Sequence, residues 1–146
     1  MANPYRCTAQ IGDVEIQAVS VDFDLFSSKD DLGLPKIGSA STNIKLTIDL
    51  LDTDNATFQK VSRLFELANR VHQEKVVDMK LSYWLDENQE DAIMQLSFPG
   101  WVSRFNASQP MIAGTDAGEQ GLVHMLVVGI EPALDETHYK RIVISN

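Results

Sequence analysis

Thr42-Asn43-Ile44-Lys45-Leu46-Thr47-Ile48-Asp49-Leu50-Leu51 is the stretch on which the fold turns. Ile44, Leu46, Ile48 and Leu50 alternate with Asn43, Lys45, Thr47 and Asp49. A period of two puts one strand face in a core and leaves the other for water, a channel or a neighbour. Just downstream the period changes. Over residues 55–73, Phe58, Val61, Leu64, Phe65, Ala68 and Val71 recur at spacings of three and four, with Gln59, Lys60, Arg63, Glu66, Asn69 and Arg70 opposite. That pattern predicts an amphipathic helix lying with one face on a sheet or barrel. Asp54 or Asn55 is placed to cap it, and Glu66 is spaced to pair with Arg70.

Upstream, residues 4–10 and 14–26 read as strands joined by a turn at Ile11-Gly12-Asp13. Val14, Ile16 and Ala18 share one face, then the apolar frame moves by one to Val19, Val21, Phe23 and Leu25. A one-residue slip turns every later side chain over, so a bulge near Ala18 or Val19 is expected. Residues 27–41 hold two glycines, a proline and small polar residues without periodicity, which predicts a long extended loop. Loops of this length tend to be functional. Leu32, Leu34 and Ile37, with Pro35 between them, give this one an aliphatic surface, suited to docking or to folding back on its own domain.

Downstream, residues 76–85 alternate Val77, Met79, Leu81, Tyr83 and Leu85 with polar residues, and an acidic turn fills 86–91. Residues 92–105 read as the returning strand, interrupted at Pro99 and Gly100. A second loop is expected at 106–120, a strand apolar on both faces at 121–131, a break at 132–137 and a final strand at 138–145. Strands and helices do not alternate, so the expectation is a mainly β chain: one domain, 1–146, an antiparallel barrel or sandwich with one packed helix.

The totals narrow the function. The chain has 146 residues, 44% hydrophobic and 23% charged, ordinary for a globular domain. Twelve Lys and Arg stand against 21 Asp and Glu, a formal charge of -9. Phosphate binding requires clustered cations, so no nucleic-acid partner is expected. No apolar run reaches the length of a membrane span. Met1-Ala2-Asn3-Pro4 lacks the basic start and apolar core of a signal peptide, which predicts assembly in the cytoplasm and any export by a route that reads no such signal.

The chemistry is sparse. Cys7 is the lone cysteine, so no intrachain disulfide or thiolate cluster forms. His72, His124 and His138 have no metal-ligand spacing. Neither a phosphate-binding glycine loop nor a GxSxG elbow occurs. Asp22 and Asp24, Asp30 and Asp31, and the 86–91 run read as solvated charge. No enzyme activity, cofactor or metal is expected. Trp84 falls on the polar side of its strand, and Trp101 follows the Pro-Gly pair. Both suit either a protein contact or a small second core.

From Gly33-Leu34-Pro35-Lys36, through the small-residue arm and Ile44-Lys45-Leu46-Thr47-Ile48-Asp49-Leu50, to Asp52-Thr53-Asp54-Asn55 and Phe58, the chain resembles the Hcp (TssD) tube proteins of type VI secretion systems. Those share a fold with contractile-phage tail tube proteins. Length, strand order and the lone helix agree. Members often carry a Gly-Arg-Pro-like turn and glycines before this strand; here Gly-Leu-Pro and Ser39-Ala40-Ser41-Thr42 stand instead. The resemblance implies hexameric rings stacked into a tube, with sheath, spike and effector partners, and an extended loop at 28–41 contacting the adjacent ring. Leu32, Leu34, Pro35 and Ile37 are its contact residues, and polar strand faces such as Asn43, Lys45, Thr47 and Asp49 would line a lumen. The competing expectation is a ligand-binding β-barrel with an apolar cavity.

Overall fold

A computed structural model describes residues 5–34, 41–69, 76–86, 88–108, 124–133 and 142–146. The strands are β1 (Cys7–Ile11), β2 (Val14–Ala18), β3 (Ser20–Phe26), β4 (Ser41–Asp49), β5 (Val77–Trp84), β6 (Ala92–Ser108), β7 (Met125–Pro132) and β8 (Val143–Ser145), with α1 (Phe58–Asn69) between β4 and β5. All pairings are antiparallel, in the order β2-β1-β5-β6-β7-β4-β3, with β8 on β6.

The predicted frame shift explains how this sheet folds on itself. β2 and β3 are the two ends of the path, yet they follow each other in sequence. The strand breaks at Val19, whose N–H donates to the Thr47 carbonyl of β4 at 2.7 Å. Before the break Val14, Ile16 and Ala18 are buried; after it Val21 is. The chain therefore leaves β1 for β4 and brings both ends of the sheet around one core, and among the described residues the ladder stays open, as in a sandwich. Ile11, Ile16 and Leu81 from one half meet Leu46, Ile48, Leu126 and Val128 from the other, all essentially without solvent contact. Burying each such side chain contributes roughly 1.5–3 kcal/mol. This leaves a packed core rather than the lumen of a ligand-binding barrel.

Several expectations need correction. The strand at 92–105 is not interrupted at Pro99 and Gly100: β6 runs through both. The Pro99 carbonyl accepts from Ala133 N–H at 2.8 Å, so its nitrogen, which points the same way, faces the gap between the end of β7 and the start of β8. A missing donor costs nothing there. Gly100 is required by crowding, since a Cβ would lie 2.8 Å from the Glu131 carbonyl oxygen. A bulge does occur in β6, where Ser103 is extra between Val102 and Arg104. Gly129 opposes it, and a Cβ on Gly129 would lie 2.9 Å from Arg104 Cβ.

The strand expected at 121–131 is β7, buried on one face through Leu126, Val128 and Ile130, while Met125 and Val127 stay half-exposed. The loop expected from 106 begins later, since β6 continues to Ser108, and residues 109–120 lie outside the described part. Of the final strand expected at 138–145, Val143–Ser145 form β8, Ile142 precedes it outside the strand, and 138–141 lie outside the described residues. The strand at 42–51 is β4, with Ile44, Leu46 and Ile48 buried and Asn43 exposed, as the alternation requires.

The helix spans Phe58–Asn69, and 70–75, with Val71, Arg70 and His72, lie outside the described residues. Its cap is Thr57, whose hydroxyl accepts from Lys60 N–H at 3.3 Å, not Asp54 or Asn55. Its buried face centres on Leu64 and Leu67 against β6 and β2, not on Phe58, which is 85% exposed. Leu67 opens a second apolar stripe beside the expected one, and periodicity alone does not choose between them. Phe65 sits on the flank, edge-on to Phe105 with centroids 5.5 Å apart. Glu66 pairs with Arg63 at 3.2 Å.

Candidate assembly surface

Beyond β3 the chain makes a turn fixed by one carboxylate. Asp30 Oδ1 accepts from the N–H groups of Leu32 and Leu34, both at 2.9 Å. Asp30 N–H donates to the Leu34 carbonyl at 2.8 Å, and Gly33 N–H to the Asp30 carbonyl at 3.0 Å. Gly33 has φ 82°, a left-handed conformation that glycine adopts without strain. An Asx-type turn of this kind fixes the backbone before any partner arrives. It holds Leu32 84% exposed, with Leu34 also exposed. Leu25 and Phe26, at the end of β3, extend the same run of exposed apolar side chains along the chain, interspersed with exposed Asp22, Asp24, Lys29 and Asp31. Of the four residues expected in the contact loop, Leu32 and Leu34 are thus placed in solvent; Pro35 and Ile37 lie outside the described residues.

The two ends of the sheet differ sharply. On the free side of β2, Asn55 acts like a residue of a further strand: Gln17 N–H donates to Asn55 Oδ1, and Asn55 Nδ2 donates to the Gln17 carbonyl, both at 2.8 Å. Asn55 is itself buried. Arg63 of α1 reaches Asp13, at the start of the same strand, at 3.3 Å. On the free side of β3, the Val21 carbonyl accepts from the Tyr83 hydroxyl at 3.2 Å. Phe23 and Leu25, in the same phase as Val21, turn their peptide groups outward too, and no further strand lies beside them among the described residues. A second bare edge is β8, which pairs only with β6 there and exposes Val143 and Ile144. The sequence offered Asn55 as a helix cap and a final strand at 138–145, but neither as part of a sheet edge. An Asn three residues before a helix looks like a cap, and two apolar residues in so short a strand carry no period.

Trp84 is anchored within the chain: its indole N–H donates to the Thr8 hydroxyl at 2.9 Å. Gln17 and Gln89 continue that network through a 2.6 Å bond, and Gln89 reaches the Tyr5 carbonyl at 3.1 Å. Trp101 is half-buried on β6. Burial pushes the Cys7 thiol up, so it is a neutral thiol rather than a nucleophilic thiolate. Burial, with Cys7 and Asp22 nearby, pushes the Tyr83 phenol up to about 12. Burial and a 2.6 Å bond to Asp52 likewise raise Tyr5. Among the described residues no group of His, Cys, Asp and Glu is arranged to hold a metal ion, and no helix is long and apolar enough to cross a membrane. His72 and His138 lie outside the described residues. Two open surface grooves, of about 390 and 360 Å³, flank β8 and the β5–β6 turn.

No protein-family model and no curated protein matches the sequence. Solved structures do match, at full length and low identity. Hcp1 from the E. coli EAEC 042 pathovar superposes with a TM-score of 0.59 at 11% identity, covering 97% of this chain and 98% of that one. The chain has the Hcp-like tube fold. Hcp1 from Flavobacterium johnsoniae agrees, with a TM-score of 0.58 at 10% identity over 97% of this chain and 95% of the other. The tube-terminating cap of the anti-feeding prophage follows at 0.51 and 14%, over 97% and 88%. The Hcp-like fold therefore spans both secretion-system proteins and proteins of contractile injection particles.

Proposed function

We propose that this chain, as one domain over residues 1–146, is a structural tube component of a contractile injection system of the type VI kind. It would form hexameric rings that stack into a tube, without catalysis, cofactor or metal. The observation that carries this reading is the end-to-end match to Hcp proteins, together with an arm whose Asp30 turn displays Leu32 to solvent. A monomer gains nothing from ordering a turn to expose a leucine, whereas an assembling subunit loses less entropy on docking. In this reading Leu32, Leu34, Pro35 and Ile37 contact the adjacent ring. Ring closure calls for a heterologous contact, one patch meeting a different patch. Sheath and spike proteins would be its partners, effectors its cargo, and the apparatus its exit from the cytoplasm. Sedimentation velocity and negative-stain microscopy of the purified chain test it. Rings are expected, and a strict monomer at high concentration overturns it.

A further inference from the structure

The two ends of one sheet are closed to different extents, and that difference points to an interface. An edge strand is a template for another chain unless it is covered. The β2 edge is closed at Gln17, where Asn55 occupies both outward groups, and just beyond the strand Val19 N–H is taken by Thr47. Among the described residues the β3 edge is covered at Val21, whose carbonyl accepts from Tyr83 and whose N–H donates to the Cys7 thiol. From Phe23 onward it offers peptide groups beside the exposed side chains of Leu25 and Phe26. Resting on the assembly reading above, we propose that β3 is the strand-accepting edge of the subunit and that β8 of a second copy adds to it, while Asn55 bars the β2 edge from doing the same.

Charge selects the occupant. If two copies of β3 paired with each other in antiparallel fashion about residues 23–25, Asp24 would stand directly opposite Asp24 of the second copy, with Asp22 close by. Like charges across a strand pair are destabilising. Val143-Ile144-Ser145 of β8 carry no charge, and they present two exposed apolar side chains to meet Leu25 and Phe26. The pairing uses two different edges, so each subunit keeps one of each for its next neighbour. That is the heterologous geometry from which a ring closes.

Leu25→Pro removes the N–H that points outward and none that bonds β4. Leu25→Thr trims the same side chain but keeps the N–H. By sedimentation velocity on the full chain, Leu25→Pro should raise the concentration for half-assembly at least tenfold, and Leu25→Thr much less. Ile144→Lys, at a side chain 65% exposed, probes the opposite edge without touching the core and should act like Leu25→Pro even if that variant unfolds. In a Cys7→Ser background, Leu25→Cys with Ile144→Cys should be joined between copies by a short bis-maleimide, giving a ladder of covalent oligomers. Rings formed by Leu25→Pro and Ile144→Lys at the wild-type concentration would overturn the β3–β8 pairing and leave the tube reading standing. Cross-linking of Leu25→Cys alone would overturn it in favour of β3 on β3. A monomeric wild-type chain would instead overturn the tube reading itself, and the pairing with it.

Discussion

Replacing Asn55 with alanine removes both arms of the clasp on Gln17 and leaves the surrounding packing largely in place. The two hydrogen bonds are short, at 2.8 Å each. Stranding a buried donor or acceptor costs about 1–3 kcal/mol per group. Gln17 is only half-buried, so water recovers part of each loss. The expected destabilisation is therefore about 2–3 kcal/mol. For a chain of this size each kcal/mol lowers the melting midpoint by about 2–4 °C, so a fall of roughly 4–12 °C should appear in thermal or urea unfolding followed by circular dichroism. Asn55→Asp keeps an acceptor for Gln17 N–H but sets a carboxylate oxygen against the Gln17 carbonyl, so it should do no better than alanine. The reopened edge adds a second readout, faster aggregation on mild heating with thioflavin binding, because β2 becomes available to other chains. A change under 0.5 kcal/mol in Asn55→Ala, with unaltered aggregation, would refute the argument: the Gln17 groups would then be as well served by water, and the edge would never have been sealed.

The other expectations are simpler. The triple replacement of Leu32, Leu34 and Ile37 by serine should weaken ring stacking in electron micrographs yet leave the melting midpoint within a few degrees, since Leu32 and Leu34 stand in solvent; an unfolded variant would make them core residues. Leu67→Ala, at a side chain 2% exposed, should cost about 2–5 kcal/mol in urea unfolding, whereas Phe58→Ser should change stability by less than about 0.5 kcal/mol; the opposite ranking would mean that the helix packs on its other stripe. Gly100→Ala should lose about 1–3 kcal/mol, because its Cβ would press on the Glu131 carbonyl, and a neutral result would show that β7 yields there. Tyr83 holds its proton to about pH 12 in the folded chain, above the ordinary phenol value of 10.0. Between those values the native state binds more protons than the unfolded one, so stability is full below pH 10 and falls as pH rises toward 12. Tyr83→Phe should flatten that fall in urea melts taken across the range, and an unchanged slope would assign it to another group.

How much of this was legible in the sequence depends on whether local pattern or distant partners decide an element. β4 and the break at Val19 could be read because alternation and frame are local, and each survives in the burial of Ile44, Leu46, Ile48 and Val21. The face of α1 could not, because Leu64 belongs to two apolar stripes and only β6 and β2 choose between them. Pro99 suggested a break because a proline inside a paired strand usually costs a bond. Its harmless position follows from where β7 stops and β8 starts, more than thirty residues downstream. On the assembly surface, Leu32 and Leu34 could be singled out as aliphatic residues in a loop without period. The Asp30 turn and the Asn55 clasp could not, since each is a set of side-chain to backbone bonds that only the folded geometry assembles.

The order of strands also sets a timetable. β4 lies between β3, its near neighbour in sequence, and β7, which begins only at Met125. β1 likewise pairs with β2 at once but waits for β5, some seventy residues later. During synthesis the β1–β2 hairpin therefore keeps its inner edge open until β5 has emerged, and the β3–β4 hairpin until β7 has, near the end of the sequence; late long-range pairing of this kind slows folding and exposes intermediates to association. The interval before β7 docks is when two nascent chains can exchange strands. Acidic residues on β3, such as Asp22 and Asp24, would then act on that interval as well as on the finished subunit, keeping early hairpins apart by charge until β7 has taken its place beside β4.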